Sequence, residues 1–402
     1  MLTRRSLLAR ATCVAAAATL PRLVLADHPG DARLVFVILR GALDGLAAAP
    51  PYGEPRYAAL RGELALASPT SSGGALKLDG LFALHPSLKN LHALYGAGEL
   101  AVLHAVATPY RERSHFDGQA VLENGGTTAP ALHDGWLNRS LGGLANTREV
   151  AIAVADNVPL VLRGERPVTS WAPSRLPDAP DDTLERIMDL YAHDSVLSSR
   201  LRDALATKEM AGDAGGGGQD GERGAGLRGD GQLGALIGAT ARFLAAPDGP
   251  RIAVLEATGW DTHANQGAEQ GQLAARLGGL DAGVAALKRD LGDVWRHTAV
   301  LVVTEFGRTV AVNGTRGTDH GTGTCAFLAG GAVQGGRVIA DWPGLAERDL
   351  YQARDLKPTV DLRAVFKSVL RDHLGVSPAA LDTQVFPASA AVAARDGLIR
   401  GG

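Results

Sequence analysis

The chain has 402 residues, of which 46% are hydrophobic, and a chain of this length can bury a large core. Its formal net charge is -3, and residues 1–26 contain four arginines and no acidic residue, so the rest of the chain carries -7. This acidic balance excludes the basic face that a nucleic-acid partner requires, and we expect no such partner. Cys325 is the one cysteine beyond residue 26, which excludes an internal disulfide in that part.

The first 26 residues have the charged start, apolar middle and small-residue end of a secretory signal. Residues 3–8 (TRRSLL) place two adjacent arginines before a leucine pair, the pattern that the twin-arginine pathway reads on folded proteins. Residues 24–26 (VLA) predict cleavage before Asp27. We therefore expect a periplasmic or secreted protein, with the twin-arginine translocase as its partner during export and no stable membrane span in the mature chain. An uncleaved anchor and a basic disordered N-terminus are the alternatives, although the apolar run is shorter than the roughly 20 residues of a span.

Short apolar runs further along the chain predict buried strands of a parallel sheet. They are residues 33–39, 100–106, 150–155, 252–257 and 299–304. Residues 272–295 repeat leucine and valine at alternating spacings of four and three, which predicts a helix with one apolar stripe facing a sheet. This order predicts an α/β fold with a mostly parallel central sheet flanked by helices. We expect residues 27–402 to form a single domain.

Two segments interrupt this pattern. The proline-rich residues 167–180 predict an irregular cap, inserted around residues 160–200. Residues 211–231 are rich in glycine and in charged side chains, and they cannot bury enough apolar surface to offset the entropy of ordering. We therefore expect a mobile surface loop over residues 211–231.

Polar side chains follow the predicted strands, at the edge of the sheet where the sites of α/β proteins form. Those of metal-ligating type are Asp44, Asp261, His263 and Glu305, each directly after a strand, and Asp319 and His320 in a later Gly-rich loop. Carboxylates and imidazoles gathered at one edge are what a divalent metal site requires. Asp261, His263 and His320 would hold a first ion, and Asp44 and Glu305 a second one. We expect one or two divalent ions, among which these residues do not distinguish zinc, manganese, calcium and magnesium.

Each candidate residue also has a purely structural explanation. Asp44 before Gly45 is a common turn pair. Ser114 and Asp117 have the spacing of a helix-capping box, and Arg111 and Arg113 would be solvated surface charges. The other structural explanations are an ion pair between Glu305 and Arg308, a plain hydrogen bond between Asp261 and His263, and a loop role for Asp319 and His320.

Nine motifs follow the leader in order: LRGALDGL, PPYGEPRYAALR, LDGLFALHPSL, TPYRERSHFDGQ, DGWLNR, GWDTH, TEFGRT, GTDHGTGT and GGRVIADWPGL. Together they resemble the bacterial family known as domain of unknown function 1501, over nearly the whole mature chain. That family is similar, at a distance, to the alkaline phosphatase and sulfatase superfamily. The resemblance implies a mostly parallel sheet flanked by helices, with a two-metal site on its edge.

The resemblance also implies roles for single residues. Asp44 resembles the first-strand metal aspartate of that superfamily, and Asp261 with His263 resembles its aspartate-histidine pair at a shorter spacing. His320, which precedes a strand and a Gly-rich turn, resembles the late histidine. Glu305 stands where the superfamily has an aspartate followed by histidine, and an alternative alignment gives that place to Asp319 and His320.

The segment after the second strand supplies candidates for the reaction itself. Ser114 is the candidate nucleophile, because it begins a predicted helix where amides and two arginines would hold an anion. His115 competes with Ser114, as a ligand or as an acid and base. Arg111, Arg113 or Arg308 would stabilise the developing charge.

These residues and the resemblance imply an exported metal-dependent hydrolase of phosphate or sulfate esters, whose substrate is a small anionic ester. Ser114 or a water molecule would be activated for attack. The alternative is a non-catalytic exported binding or assembly protein on the same fold, because fold does not dictate function and one metal pair is altered.

Overall fold

The computed structural model describes residues 31–143, 150–173, 181–191, 193–211 and 230–401. The strands within these residues are β1 (Arg33–Arg40), β2 (Leu76–Lys77), β3 (Ala83–Leu84), β4 (Leu100–Ala107), β5 (Ala151–Ala153), β6 (Thr169–Ser170), β7 (Ile252–Thr258), β8 (Thr298–Thr304), β9 (Thr324–Ala329), β10 (Arg337–Ile339) and β11 (Val360–Asp361). Each of the five predicted runs overlaps one of these strands, and four of the strands extend one residue beyond the run. The run at residues 150–155 forms only the three residues of β5.

Nine of the described strands form one central sheet, in the order β10-β4-β9-β8-β1-β7-β5-β6, with β11 beside β4. β1 pairs in parallel with both β7 and β8, and β5 continues the parallel order on the far side of β7. β9 alone among the described strands of this sheet runs against its neighbours, between β4 and β8. The predicted mostly parallel sheet is therefore confirmed, with one antiparallel strand inside it.

The helices in the described residues are α1 (Gly45–Ala48), α2 (Tyr57–Arg61), α3 (Lys89–Gly96), α4 (His115–Asn124), α5 (Trp136–Ser140), α6 (Asp181–Tyr191), α7 (Ser195–Ala211), α8 (Asp230–Ala245), α9 (Gln272–Leu291), α10 (Leu362–Asp372) and α11 (Pro378–Ala380). α9 begins where the apolar pattern predicted but ends at Leu291, before the predicted end at residue 295. Gly292, with φ of 52°, takes a left-handed conformation that ends the helix, and residues 292–297 form a 3-10 turn.

The sheet is buried on both faces. Along β1, Leu34, Phe36 and Ile38 belong to one hydrophobic cluster, while the alternating residues belong to the cluster on the opposite face. α10 packs into the first cluster and α9 into the second. Burial of both faces explains why the strands appear in the sequence as continuous apolar runs.

Some predicted features lie outside the described residues. These are the leader at residues 1–26 and most of the predicted glycine-rich loop, at residues 212–229. In the region predicted as a cap, the structure describes β6 at one end of the central sheet and the helices α6 and α7, while residues 174–180 and 192 lie outside. No described helix is both long and apolar enough to cross a membrane.

β4 carries a histidine in the interior of the protein. His104 is fully buried, and its Nε2 donates to the carbonyl of Ala49 at 3.0 Å while its Nδ1 accepts from the amide of Ala105 at 2.8 Å. Its ring stacks on Phe82, with 5.0 Å between the centroids. Burial lowers the pKa of His104 to about 4, so the ring is neutral at neutral pH.

The free energy of unfolding should therefore fall as the pH drops from about 6.5 to about 4. In that window the unfolded chain binds a proton at His104 and the folded chain does not, so acid favours the unfolded state. The full effect is roughly 3 kcal/mol. Urea unfolding at steps across this window should show a smaller loss for His104→Gln than for the unsubstituted protein. Parallel pH curves for the two proteins would contradict this assignment.

Candidate metal centre

Three loops meet at the edge of the sheet where β4, β7 and β8 end. β4 is followed by α4, whose first residue is His115, and the loop after β7 carries Asp261 and His263. His320 lies in the connection from β8 to β9, which begins and ends at this edge because β9 runs back beside β8. The topology therefore brings together four side chains from three segments that are distant in the sequence.

The ring nitrogens of the three histidines converge. His320 Nε2 lies 2.9 Å from His115 Nε2 and 2.9 Å from His263 Nε2. Asp261 places Oδ1 at 3.1 Å from His263 Nε2 and 3.4 Å from His320 Nε2, and its Oδ2 lies 3.5 Å from His115 Nε2. One ligand atom from each of His115, Asp261 and His320 lies within 4.8 Å of the other two, the spacing of a metal site. His263 contacts two members of this group.

The second nitrogen of each imidazole faces an oxygen acceptor. His115 Nδ1 donates to Glu305 Oε1 (2.8 Å), His263 Nδ1 to Asp319 Oδ1 (3.2 Å), and His320 Nδ1 to the carbonyl of Arg113 (3.0 Å). Because these oxygens can only accept, they keep the hydrogen on Nδ1 and leave a lone pair on Nε2 of each neutral ring. Three lone pairs therefore point into one small space, an arrangement that calls for a cation or a shared proton.

The charges around the centre are set by close partners. The hydrogen bond to Glu305 raises the pKa of His115, while burial and the charge of His115 lower the pKa of His320. Burial acts to raise the pKa of Asp261, but the hydrogen bond and charge of Arg308 bring it below its usual range. Asp261 is therefore an ionised carboxylate at neutral pH.

Glu305 orients a histidine of this cluster. Its side chain is fully buried, and besides His115 it accepts from the amide of Gly41 at 2.8 Å, from Gln119 at 3.2 Å and from the hydroxyl of Thr304 at 2.8 Å. Burial acts to raise the pKa of Glu305, but the hydrogen bonds from His115, Thr304 and Gln119, together with a backbone hydrogen bond, lower the pKa below its ordinary value. A carboxylate with four donors orients its histidine, as carboxylates behind metal-bound histidines do.

Phe306 directly follows Glu305 and packs against the cluster. Its ring stacks on His115, with 4.9 Å between centroids and 30° between planes. The aromatic residue thus supports the ring that Glu305 orients.

Asp44 lies in the interior, paired with Arg61. Its Oδ1 accepts from the amides of Leu46 and Ala47 at 3.2 Å, so that it caps α1, and its Oδ2 accepts from Arg61 and from Gln266. The sequence predicted a second ion between Asp44 and Glu305, but neither residue belongs to the group of metal-ligating side chains found among the described residues. Asp44 instead caps α1, whereas the structural alternative that its sequence offered was a turn with Gly45.

The three predicted anion-binding arginines have other partners. Arg308 donates from Nη1 to Asp261 Oδ1 at 2.5 Å, and its described ion pair is with Asp261 rather than with Glu305, the partner that its structural alternative gave it. Arg113 donates from Nε to Asp355 at 2.8 Å, and Arg111 from Nη1 to the carbonyl of Tyr110 at 2.7 Å. Arg113 contributes to the cluster through its carbonyl oxygen.

Ser114 precedes the first residue of α4, as the capping pattern predicted, but its side chain makes no capping hydrogen bond. The predicted capping box with Asp117 is therefore not formed. The half-buried Ser114 hydroxyl is adjacent to His115. The first turn of α4 keeps its backbone N–H groups for another acceptor, and these groups carry the positive end of the helix dipole.

Sequence reasoning missed several polar residues beneath the centre, above all Arg61, Gln266 and Thr318. Each stands inside or next to a motif: Arg61 ends PPYGEPRYAALR, Gln266 follows GWDTH, and Thr318 lies in GTDHGTGT. Their position inside or beside these motifs was the signal that could have identified them.

Comparisons with known proteins complete the description of the site. A family model described as "Protein of unknown function (DUF1501)" matches residues 31–384, and no curated protein matches the chain. Among solved structures, the chain is similar to Ps i-CgsB in complex with k-i-k-neocarrahexaose, at 9% identity and a TM-score of 0.44, over 90% of this chain and 77% of that one.

Two further solved structures are similar over most of the chain. A mutant of TAB5 alkaline phosphatase with Mg bound has 10% identity and a TM-score of 0.36, over 77% of this chain and 93% of that one. The phosphonate monoester hydrolase of Agrobacterium radiobacter has 13% identity and a TM-score of 0.34, over 86% and 74%. The activity of this chain is therefore inferred from its own residues.

Proposed function

This chain belongs to the DUF1501 family, as its motifs predicted, and we propose that it is an exported metal-dependent hydrolase of phosphate or sulfate esters. Its metal ion would be held by His115, Asp261, His263 and His320. The convergence of the Nε2 atoms of His115, His263 and His320 beside the carboxylate of Asp261 carries this proposal. A proton on Nε2 of His115 would form a hydrogen bond to Nε2 of His320. The lone pair on Nε2 of His263 would still face the same His320 nitrogen. A cation satisfies all three rings at once.

The donor set fits a nitrogen-preferring divalent ion. Three imidazoles and one carboxylate suit zinc, whereas calcium and magnesium prefer oxygen ligands. The oxygen acceptors behind each ring are those that tune metal-bound histidines. Because Asp44 and Glu305 are engaged elsewhere, we propose one ion rather than two. Such an ion supplies a Lewis acid that polarises an oxygen of the ester.

The surroundings of the cluster favour an anionic ester as substrate. The uncapped first turn of α4 offers N–H groups to an anion beside His115. The Ser114 hydroxyl at the same turn is the proposed nucleophile, and a water molecule is the alternative. Asp261 and Asp319 are exposed, so the centre opens to solvent and to a substrate.

Export through the twin-arginine pathway is part of this proposal. Its support is the pattern of residues 1–26, together with a family match that begins after them, at residue 31. Delivery in the folded state suits a protein whose metal ligands come from three distant loops. The protein for the test below should therefore be recovered from the periplasm with Asp27 as its first residue, and its retention in the cytoplasm would contradict this part.

The proposed function is tested by metal analysis and by hydrolysis of simple esters. We expect about one divalent ion per chain, turnover of aryl phosphate or aryl sulfate esters, loss of turnover on chelation and recovery on adding zinc. Ser114→Ala should abolish turnover while keeping the metal if Ser114 is the nucleophile, and unchanged turnover would favour water. A protein that contains no metal and hydrolyses none of these esters would contradict the enzyme proposal and favour a binding or assembly role.

A further inference from the structure

Gln266 is a buried residue for which the proposed reaction has no role. It lies in the loop after β7 with no exposed surface. Its amide nitrogen donates to Asp44 Oδ2 at 2.7 Å, and its amide oxygen accepts from the hydroxyls of Thr262 at 2.7 Å and Thr318 at 2.9 Å. These partners fix the orientation of the amide, because the reverse orientation would set its oxygen against the Asp44 carboxylate.

Thr318 joins Gln266 to the arginine that holds Asp261. Arg308 donates from Nε to Thr318 Oγ1 at 3.1 Å and from Nη2 to the Thr318 carbonyl, while its Nη1 donates to Asp261. A chain of hydrogen bonds therefore runs from Arg308 through Thr318 and Gln266 to Asp44. We call these four residues the buried relay. All donors along it point the same way, so each bond polarises the next.

The buried relay connects the partly exposed ligand Asp261 to groups that are fixed in the interior. Its four members are at most 1% exposed, whereas the Asp261 side chain is 40% exposed. Leaving a buried polar group without a partner is unfavourable, so the relay strongly favours one arrangement. The orientation of Arg308 is thereby set from the interior, and Arg308 in turn sets the position of Asp261.

We propose that Gln266 is a positioning residue for the metal centre, which acts through Thr318 to hold Arg308 in the orientation that anchors Asp261 beside His263 and His320. This inference rests on the proposed metal site and adds a determinant of its affinity. Loss of a residue that orients a metal ligand typically costs 10–100-fold in metal affinity. Gln266 should belong to this group although it contacts none of the four ligands through its side chain.

The test substitutes Gln266→Met, which nearly keeps the volume and removes both hydrogen-bonding ends. We expect the dissociation constant for Zn²⁺ to rise roughly 10–100-fold, measured by titrating metal-free protein against a chromophoric chelator. Circular dichroism at the temperature of the titration ensures that both proteins are folded. The visible absorption of Co²⁺ bound to each protein should also differ, because it reports on the geometry of the ligands.

The chain offers a matched pair of threonines as a control. The hydroxyls of Thr262 and Thr318 both donate to the Gln266 oxygen, but only Thr318 also accepts from Arg308. Thr318→Val should therefore weaken Zn²⁺ binding as Gln266→Met does, and Thr318→Ser should retain it. Thr262→Val should have a smaller effect. The double variant of Gln266→Met and Thr318→Val should bind Zn²⁺ no more weakly than either single variant, because both substitutions break the same relay.

A second control separates positioning from general destabilisation. Asn138 in α5 is a buried amide that donates to the carbonyls of Leu162 and Arg166 at 2.8 and 2.9 Å. Asn138→Leu should lower the melting temperature in a chelator without changing the Zn²⁺ dissociation constant. Equal weakening of metal binding by Asn138→Leu would show a merely structural effect and overturn the inference.

The proposed function and the role of Gln266 are contradicted by different results. An unsubstituted protein that binds neither Zn²⁺ nor Co²⁺ overturns the proposed function and the role of Gln266 with it. An unsubstituted protein that binds Zn²⁺, with an unchanged dissociation constant for folded Gln266→Met, overturns the role of Gln266 alone.

Discussion

Replacing His320 with alanine should remove both the metal ion and the hydrolysis of the ester. His320 Nε2 is the atom that lies 2.9 Å from each of the other two imidazoles, so its loss leaves no central ligand. Losing an outer-shell partner costs about 10–100-fold in affinity, and losing a ligand should cost more. We expect metal affinity to fall by about 1,000-fold or more, measured by titration of the metal-free protein, with turnover falling alongside it.

The exposed His133 provides a matched control, because His133→Ala removes an imidazole away from the cluster. Its metal content and turnover should equal those of the unsubstituted protein. Glu305→Gln gives an intermediate case, since it keeps a hydrogen-bonding group behind His115 but removes its charge. Its loss of affinity should fall in the 10–100-fold range. Full metal content in purified His320→Ala would refute the ligand assignment.

Replacing Arg61 with methionine should destabilise the fold strongly. Arg61 and Asp44 are 0% and 1% exposed and form a buried ion pair, so removing the guanidinium leaves a carboxylate buried with fewer partners. Breaking such a pair costs about 3–5 kcal/mol of unfolding free energy. Urea or thermal unfolding measures this loss. Folded Arg61→Met should still bind about one metal ion per chain, because the relay from Arg308 to Asp44 remains.

The double variant of Asp44→Leu and Arg61→Met separates the buried pair from a ligand role for Asp44. It removes both charges and should recover part of the stability that Arg61→Met loses. Recovery is incomplete because the amides of Leu46 and Ala47 and the side chain of Gln266 lose their acceptor. If Arg61→Met instead bound a second ion, Asp44 would be a ligand held in reserve, contrary to its structural assignment.

The sequence predicted the edge of the site better than its interior. Strand ends locate Asp261, His263 and Glu305 at one edge, because the carboxyl ends of parallel strands share it. A strand end does not say which way a side chain turns. Asp44 turns inward because Arg61, in a later helix, supplies a buried positive charge, and that partnership depends on tertiary packing.

The two roles of a carboxylate beside histidine are equally hard to separate from sequence. Glu305 and Asp261 are both acids of the same edge, yet one orients His115 from the interior and the other faces three imidazoles. What distinguishes them is burial, with side-chain exposures of 0% and 40%. Burial at a strand end follows from the loops that cover it, which no local pattern describes. The antiparallel direction of β9 was not predicted for the same reason, because it depends on how β9 pairs with β4 and β8.

The antiparallel direction of β9 affects how much of the segment between β8 and β9 is already ordered before a metal ion binds. The segment between β8 and β9 leaves and returns at adjacent strands, so its ends are already close when the sheet forms. Gly307 and Gly321 pair across the base of the segment, and a side chain at Gly307 would collide with the carbonyl of Gly323. The entropy of closing this loop is therefore lost in folding rather than in binding. The metal-free protein should present Arg308 and His320 nearly in place, so that affinity reflects the ligands themselves.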